Sequence, residues 1–242
     1  MVGAVGRSAP VSLPVPLSLA GERFPLAMVG DKMNRLHRWY CQSNHWRHRL
    51  GTEILPWSLK GVDLGGEVLE LGPGPGLTTD WLRPQCRHLT CLELDLNLAR
   101  SLRERTTASN VEVQVGDATA MPFHDRTFSV VLSFTMLHHI PSPALQDRLF
   151  CEAYRVLKPG GTFAGSDSLW SVWMQIFHLA DTMVTLDPGR LPGKLEAAGF
   201  KDVGAETNGG RVRFWARRPV SLPSGSDSLC EAPERLCLPS EK

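Results

Sequence analysis

Two clusters of residues could form a ligand site. The first is Gly72-Pro73-Gly74-Pro75-Gly76, which follows the apolar run Val68-Leu69-Glu70-Leu71 and opens into a helix from Leu77. Glycines lack a Cβ, so a backbone rich in them can lie against a ligand. The G-x-G-x-G spacing brings the third glycine one residue earlier than in a dinucleotide fingerprint. There is no Walker lysine. Pro73 and Pro75 carry no N–H, whereas a phosphate cradle needs successive N–H donors. The loop therefore suits an adenosyl ligand better than a phosphate, with a plain strand-to-helix turn as the alternative. The second cluster is a pair of acids at the ends of the next two apolar runs. Glu93 ends one of them, with Asp95 as its nearby fallback, and a carboxylate there can accept from both hydroxyls of a ribose. Asp117 follows the other in Gly116-Asp117-Ala118, where it can accept from an adenine amino group beside a backbone N–H. A carboxylate in a loop can also simply cap a helix or turn; the alternative weakens when loop and both acids occur in this order.

The elements that must position these residues alternate. β-rich runs occur at Glu67 to Leu71, His88 to Leu94, Val111 to Gly116, Phe128 to Ser133 and Gly161 to Ser166. Helical stretches lie between them, most clearly at Asn97 to Arg105 and Pro143 to Leu157, the latter halted at Lys158-Pro159-Gly160-Gly161. Such alternation implies crossover connections and a mostly parallel α/β sheet. A short helix after Leu191-Pro192 precedes two further strands, Asp202 to Glu206 and Arg211 to Arg217. The turn Thr207-Asn208-Gly209-Gly210 makes them a hairpin, so the last strand runs antiparallel. Open α/β sheets bind ligands at the carboxyl edge, where the loop and both acids fall.

The ends read differently. Residues 1–30 begin with an apolar run, Ala9 to Ala20, broken by Pro10, Pro14 and Pro16, poor for a signal helix and better suited to a disordered extension. Residues 31–218 form the working domain. Residues 219–242, rich in Ser, Pro and Glu, read as a disordered tail. The chain has 242 residues, 26 Lys plus Arg against 25 Asp plus Glu, and a net charge of +1. That balance argues against a dedicated nucleic-acid binder. No apolar stretch is long enough to span a membrane. The six cysteines form no C-x-x-C pair, so reduced thiols and a cytoplasmic setting are expected. His37, Cys41, His45 and His48 share a face if residues 33 to 50 are helical, but one straight helix cannot surround a metal ion, and no metal is expected.

The motifs together resemble those of class I S-adenosylmethionine-dependent methyltransferases, in particular the small-molecule branch that includes ubiquinone and menaquinone C-methyltransferases. The similarity covers Glu67 to Arg217 and also rests on Met121-Pro122-Phe123, Leu137-His138-His139-Ile140, Arg155-Val156-Leu157-Lys158-Pro159-Gly160-Gly161 and Leu195-Glu196-Ala197-Ala198-Gly199-Phe200. The resemblance implies a Rossmann-like three-layer sandwich with a seven-stranded sheet and S-adenosyl-L-methionine (SAM) as cofactor. It implies that Glu70, Gly72, Gly74 and Gly76 line the methionine portion, Glu93 and Leu94 the ribose, and Asp117 and Ala118 the adenine. Ser133 would lie beside the sulfonium.

A sulfonium methyl is already activated, so the protein must align donor and acceptor and exclude water. A base is needed only if the acceptor loses a proton. His138 is the candidate, His139 the weaker one, and a purely architectural pair is the competing reading. Ser133-Phe134-Thr135-Met136 lacks the Asn/Asp-Pro-Pro-aromatic motif of enzymes that methylate adenine or amide nitrogens, and this loop has no Pro-Cys nucleophile. Helical spacing over Leu169 to Leu186 gives a core-packing or acceptor-pocket helix, with Trp170, Trp173 and His178 as pocket candidates. Around Met33 to Leu50, Trp39, Tyr40 and Trp46 among four arginines form either a cofactor or acceptor cover or a solvated face. The acceptor is expected to be a small hydrophobic or aromatic molecule. A catalytically silent SAM-binding protein is the second reading and a dinucleotide oxidoreductase the third, disfavoured by the glycine spacing.

Overall fold

Apolar, β-branched runs bounded by glycine and aspartate form the strands of a single sheet. The computed structural model describes residues 43–171 and 183–220. The strands are β1 (Glu67–Leu71), β2 (His88–Glu93), β3 (Val111–Val115), β4 (Phe128–Phe134), β5 (Leu157–Ser168), β6 (Lys201–Asn208) and β7 (Arg211–Arg217). Their order across the sheet is β3-β2-β1-β4-β5-β7-β6. β1 to β5 pair in parallel, and β7 runs antiparallel to both β5 and β6. Gly209 and Gly210, with φ of 54° and 81°, make the hairpin turn, as the two glycines require.

The helices are α1 (Asn44–Arg49), α2 (Leu55–Ser58), α3 (Leu77–Leu82), α4 (Leu96–Arg105), α5 (Pro143–Val156) and α6 (Leu191–Ala197). Both faces of the sheet are covered, so the central strands read as continuous apolar runs. On one face Leu69, Leu71, Val131, Phe163 and Phe214 pack with Leu149, Phe150 and Ala153 of α5 and Leu191 and Leu195 of α6. On the other, Val68, Leu89, Val130 and Leu132 meet Leu50, Leu55, Leu82, Ala99 and Leu102. This is the expected three-layer sandwich. Phe163 centres the first face, its ring 5.0 Å from Phe214 and 5.8 Å from Phe200.

Three local expectations need correction. Lys158-Pro159-Gly160-Gly161 does not separate α5 from β5. The strand begins at Leu157, which pairs with Phe128, and the register resumes at Thr162 opposite Val130. The Pro-Gly-Gly stretch is thus a bulge, where a residue without N–H and residues without side chains are tolerated. Leu169 to Leu186 is not one helix. Its described ends are non-helical and tied elsewhere, Leu169 N–H to Gly210 O at 2.8 Å and Val184 N–H to His138 O at 2.9 Å. The chain before β1 continues past Leu50 in a wide π turn, Leu50–Ile54, into α2. Trp39, Tyr40, His37, Cys41, Trp173, His178 and both expected disordered ends, apart from residues 219 and 220, lie outside the described residues.

β1 and β4 are the pair at which the strand order reverses, and their carboxyl ends open the crevice where doubly wound sheets bind ligands. Backbone packing there is tight. A Cβ on Gly165 would collide with the backbone oxygen of Ser133. We expect Gly165→Ala to destabilise the protein by about 2 kcal/mol or more, read by urea unfolding; a change under about 0.5 kcal/mol would contradict the close approach of β4 and β5.

Candidate active site

The glycine loop leaves β1 in left-handed turns. Gly72, Gly74 and Gly76 have φ of 62°, 54° and 81°, a region that glycine enters without penalty. A Cβ on Gly72 would strike the Met136 side chain, and one on Gly76 would strike Leu102 and Arg105. At Gly74 the space is open. Every N–H of the loop is engaged within the protein. Gly72 donates to Leu92 O, Gly74 to Glu93 Oε2 and Gly76 to Pro73 O, each at 2.9 Å, and Pro73 and Pro75 have none to offer. The phosphate cradle that two prolines already made poor is therefore closed. Arg105 holds the loop from outside, donating to Pro75 O and Gly76 O and to both carboxylate oxygens of Asp80.

Glu70 lies beneath the loop rather than along it. Its carboxylate accepts from the Thr78 and Thr79 hydroxyls at the start of α3 and from the Cys91 thiol, and the residue is 1% exposed. The expected contact with a methionine portion gives way here to a buried brace between β1, β2 and α3. Burial raises its carboxyl above the ordinary range, more than the three donors lower it. Burial also pushes the Cys86 thiol up to about 11, and Cys91 higher still, with Glu70 adding to both.

Glu93 and Asp117 stand where expected, at the carboxyl ends of β2 and β3, but differ in what they leave open. Glu93 is buried. One of its oxygens takes the Gly74 N–H and the other the Asp95 N–H at 3.0 Å, so a ribose would share oxygens that already shape the loop. Burial raises this carboxyl too, against the opposing backbone bonds. Asp95, the fallback acid, caps α4 through Asn97 and Leu98 N–H. Leu94 follows Glu93, half-buried. Asp117 is exposed. Its Oδ1 accepts from Thr119 N–H and Oγ1, and Oδ2 has no partner among the described residues. Ala118 packs half-buried beside it. Arg155 holds this loop in place, bonding Met121 O and Phe123 O while paired with Glu152 and Asp125.

Beyond β4, Ser133 is buried, and its Oγ has no hydrogen-bond partner among the described residues. Thr135 turns the chain with φ of 51°, a strained value for a β-branched residue, and donates its N–H to Ser166 O. The turn carries His138 back to β5, where Nδ1 lies 2.5 Å from Asp167 Oδ1. Asp167 escaped the sequence reading. The available signal was its place in Gly165-Ser166-Asp167-Ser168, another acid at a strand's carboxyl end. Trp170 is 59% exposed. Among the described residues no cluster could hold a metal, and no helix is long and apolar enough to cross a membrane.

Comparisons with known proteins agree with this geometry. Residues 69–165 match the family described as a methyltransferase domain. A probable S-adenosylmethionine-dependent methyltransferase of Mycolicibacterium smegmatis is 28% identical over 78% of this chain and 68% of its own length. A phthiotriol/phenolphthiotriol dimycocerosates methyltransferase of Mycobacterium tuberculosis is 36% identical over 57% of this chain and 46% of that one. A demethylmenaquinone methyltransferase of Tropheryma whipplei is 32% identical over 50% and 47%. The chain thus spans two thirds of one curated relative and under half of the other two. Among solved structures, a Pyrococcus horikoshii protein superposes with a TM-score of 0.64 at 20% identity, covering 74% of this chain and 94% of that one. Haemonchus contortus phosphoethanolamine N-methyltransferase 2, solved with S-adenosyl-L-methionine, gives 0.60 at 18%, covering 72% and 53%. Over residues 69–165 the chain is thus similar to methyltransferase domains.

The raised Glu70 carboxyl has a consequence for stability. Folding favours its protonated form, so the stability it contributes is full below its unfolded value and is lost as pH rises through the folded value. Glu70→Gln is expected to flatten the fall of unfolding free energy as pH rises above the ordinary carboxylate range. An unchanged slope in urea titrations would contradict the assignment.

Proposed function

We propose that this chain is a methyltransferase that uses SAM to methylate a small hydrophobic or aromatic molecule. The observation that carries the reading is the division of labour at the crevice. The loop keeps its N–H groups for the protein, Asp117 keeps an open oxygen at the neighbouring strand end, and Ser133 and His138 close the other side. Such a site favours a nucleoside carrying no phosphate. Asp117 would accept the adenine amino group, Glu93 and Leu94 would border the ribose, and the glycine loop would border the amino-acid end. Bound there, SAM supplies a methyl group activated on sulfur. The protein aligns the acceptor and keeps water out.

The near-zero net charge and the relatives named for phthiotriol, phenolphthiotriol and demethylmenaquinone support a small, hydrophobic acceptor over nucleic acid. Buried thiols at Cys86 and Cys91 suit a reducing, cytoplasmic setting.

The reading is tested by transfer of labelled methyl from SAM to molecules of a cell extract, with and without the protein. A labelled, extractable small molecule is expected; label only in nucleic acid or protein would contradict it. Asp117→Ala should weaken SAM binding about 10-fold, measured by calorimetry, because one charge-assisted hydrogen bond is lost. Gly74→Val should weaken it further, since a β-branched residue resists a φ of 54°. Affinities equal to the parent's would move the adenosyl site elsewhere.

A further inference from the structure

We propose that Arg155 and Glu152 of α5 are positioning residues that set the selection of adenine by Asp117. This rests on the methyltransferase reading above and names what decides the base at that site.

Residues 116–127 join β3 to β4 without regular structure. A loop of that length needs fastening if it is to recognise anything. Two backbone bonds fix its far end, Arg126 N–H to Arg155 O at 3.0 Å and Thr127 N–H to Val156 O at 2.8 Å. At its near end Gly116 N–H donates to Glu93 O, and Asp117 O accepts from Ala120 N–H. Its middle, Met121-Pro122-Phe123, is held by side chains of α5. Glu152 Oε2 accepts the Met121 N–H at 2.7 Å. Arg155 donates to Met121 O at 3.0 Å and to Phe123 O at 2.7 Å. The Met121 peptide is therefore gripped at both its donor and its acceptor. The same two side chains form a fork, Nε to Oε1 at 2.7 Å and Nη2 to Oε2 at 2.8 Å. A two-point pair fixes direction as well as distance. Asp125 also bonds Arg155 but is 68% exposed, and an exposed pair contributes little.

The grip reaches Asp117 through packing. Pro122 sits between the two gripped carbonyls and against Gly116, where a Cβ would press on Leu92 and Pro122. Met121 is buried, and Phe123 meets Phe128 edge to face at 5.0 Å. Gly116 directly precedes Asp117, so the place of Pro122 sets how the chain leaves β3 into the acid. Thr119 then occupies Oδ1 with its N–H and its hydroxyl, which leaves Oδ2 as the acceptor for a ligand.

An acceptor placed in this way reads a pattern. Adenine presents an amino donor beside a ring-nitrogen acceptor. Hypoxanthine presents the reverse, a carbonyl oxygen beside a ring N–H. Asp117 Oδ2 and the Ala118 N–H match adenine only while their spacing is held. A mismatched base leaves polar groups unpaired or opposes like charges, which is where strong discrimination comes from. A loosened loop would lose that discrimination and leave the ribose and amino-acid ends as they are.

The test is calorimetry of the full chain with S-adenosylhomocysteine and with S-inosylhomocysteine, which differ only in the base. The parent is expected to prefer the adenine ligand by about 30-fold. Arg155→Lys keeps the charge without the fork and should cut the preference to about 3-fold, by weakening the adenine ligand. Glu152→Gln keeps an acceptor for the Met121 N–H but loses the ion pair, and should cut the preference in the same direction. Asp117→Ala removes the reader itself, so adding Arg155→Lys to it should change the preference no further. A parent-like preference in both single variants would overturn the proposal. Equal loss of affinity for the two ligands would do so too, because a role in stability alone weakens both. Where urea unfolding shows that Arg155→Lys does not fold, Glu152→Gln decides. Failure of the parent to bind S-adenosylhomocysteine would instead overturn the methyltransferase reading.

Discussion

The hydrogen bond from Gly74 N–H to Glu93, 2.9 Å long, ties the two halves of the candidate site together. It fixes the turn that β1 makes at its carboxyl end and sets the distance from that turn to β2. A charge-assisted bond to a buried carboxylate is among the stronger ones in a protein, and leaving that carboxylate unpaired would be costly. The other braces serve the same loop. Glu70 grips the start of α3 from below, Arg105 clamps Pro75 and Gly76 from outside, and Met136 fills the space against Gly72. A loop held at so many points cannot spare its N–H groups for a phosphate, and it presents a preformed, uncharged edge to an adenosyl ligand.

The sheet explains why these parts converge. Strand order reverses between β1 and β4, so the chain leaving β1 and the chain leaving β4 turn away on opposite sides of one crevice. Glu93 and Asp117 lie at the carboxyl ends of β2 and β3, and Ser133 and His138 lie at and beyond that of β4. The antiparallel β7 completes the sheet beside β5, where Asp167 pairs with Val212 and Ser168 with Arg211. Asp167 is thus fixed by an inner strand, and His138 follows the strained turn at Thr135.

Most of the architecture was legible in the sequence, because its strands are buried on both faces and read as uninterrupted apolar runs between glycine and aspartate. Asn208-Gly209-Gly210 announced the hairpin through the backbone conformation it requires. What could not be read were contacts across sequence distance. Asp167 and His138 are 29 residues apart, and nothing local to either marks the partner. Glu70 looked like a ligand-lining residue because its strand leads into the loop, yet its side chain points to the hydroxyls of Thr78 and Thr79. The Pro-Gly-Gly before β5 looked like a break and is a bulge, since a neighbouring strand can absorb it. Periodicity at Leu169 to Leu186 suggested one helix, yet the described ends of that stretch are non-helical and bonded to Gly210 and His138.

The central claim is that this crevice takes an adenosyl ligand without phosphates. Calorimetric titration of the full chain with SAM and, separately, with NAD tests it most directly. Saturable binding of SAM at one site and no detectable binding of NAD are expected. Binding of NAD with none of SAM would contradict it.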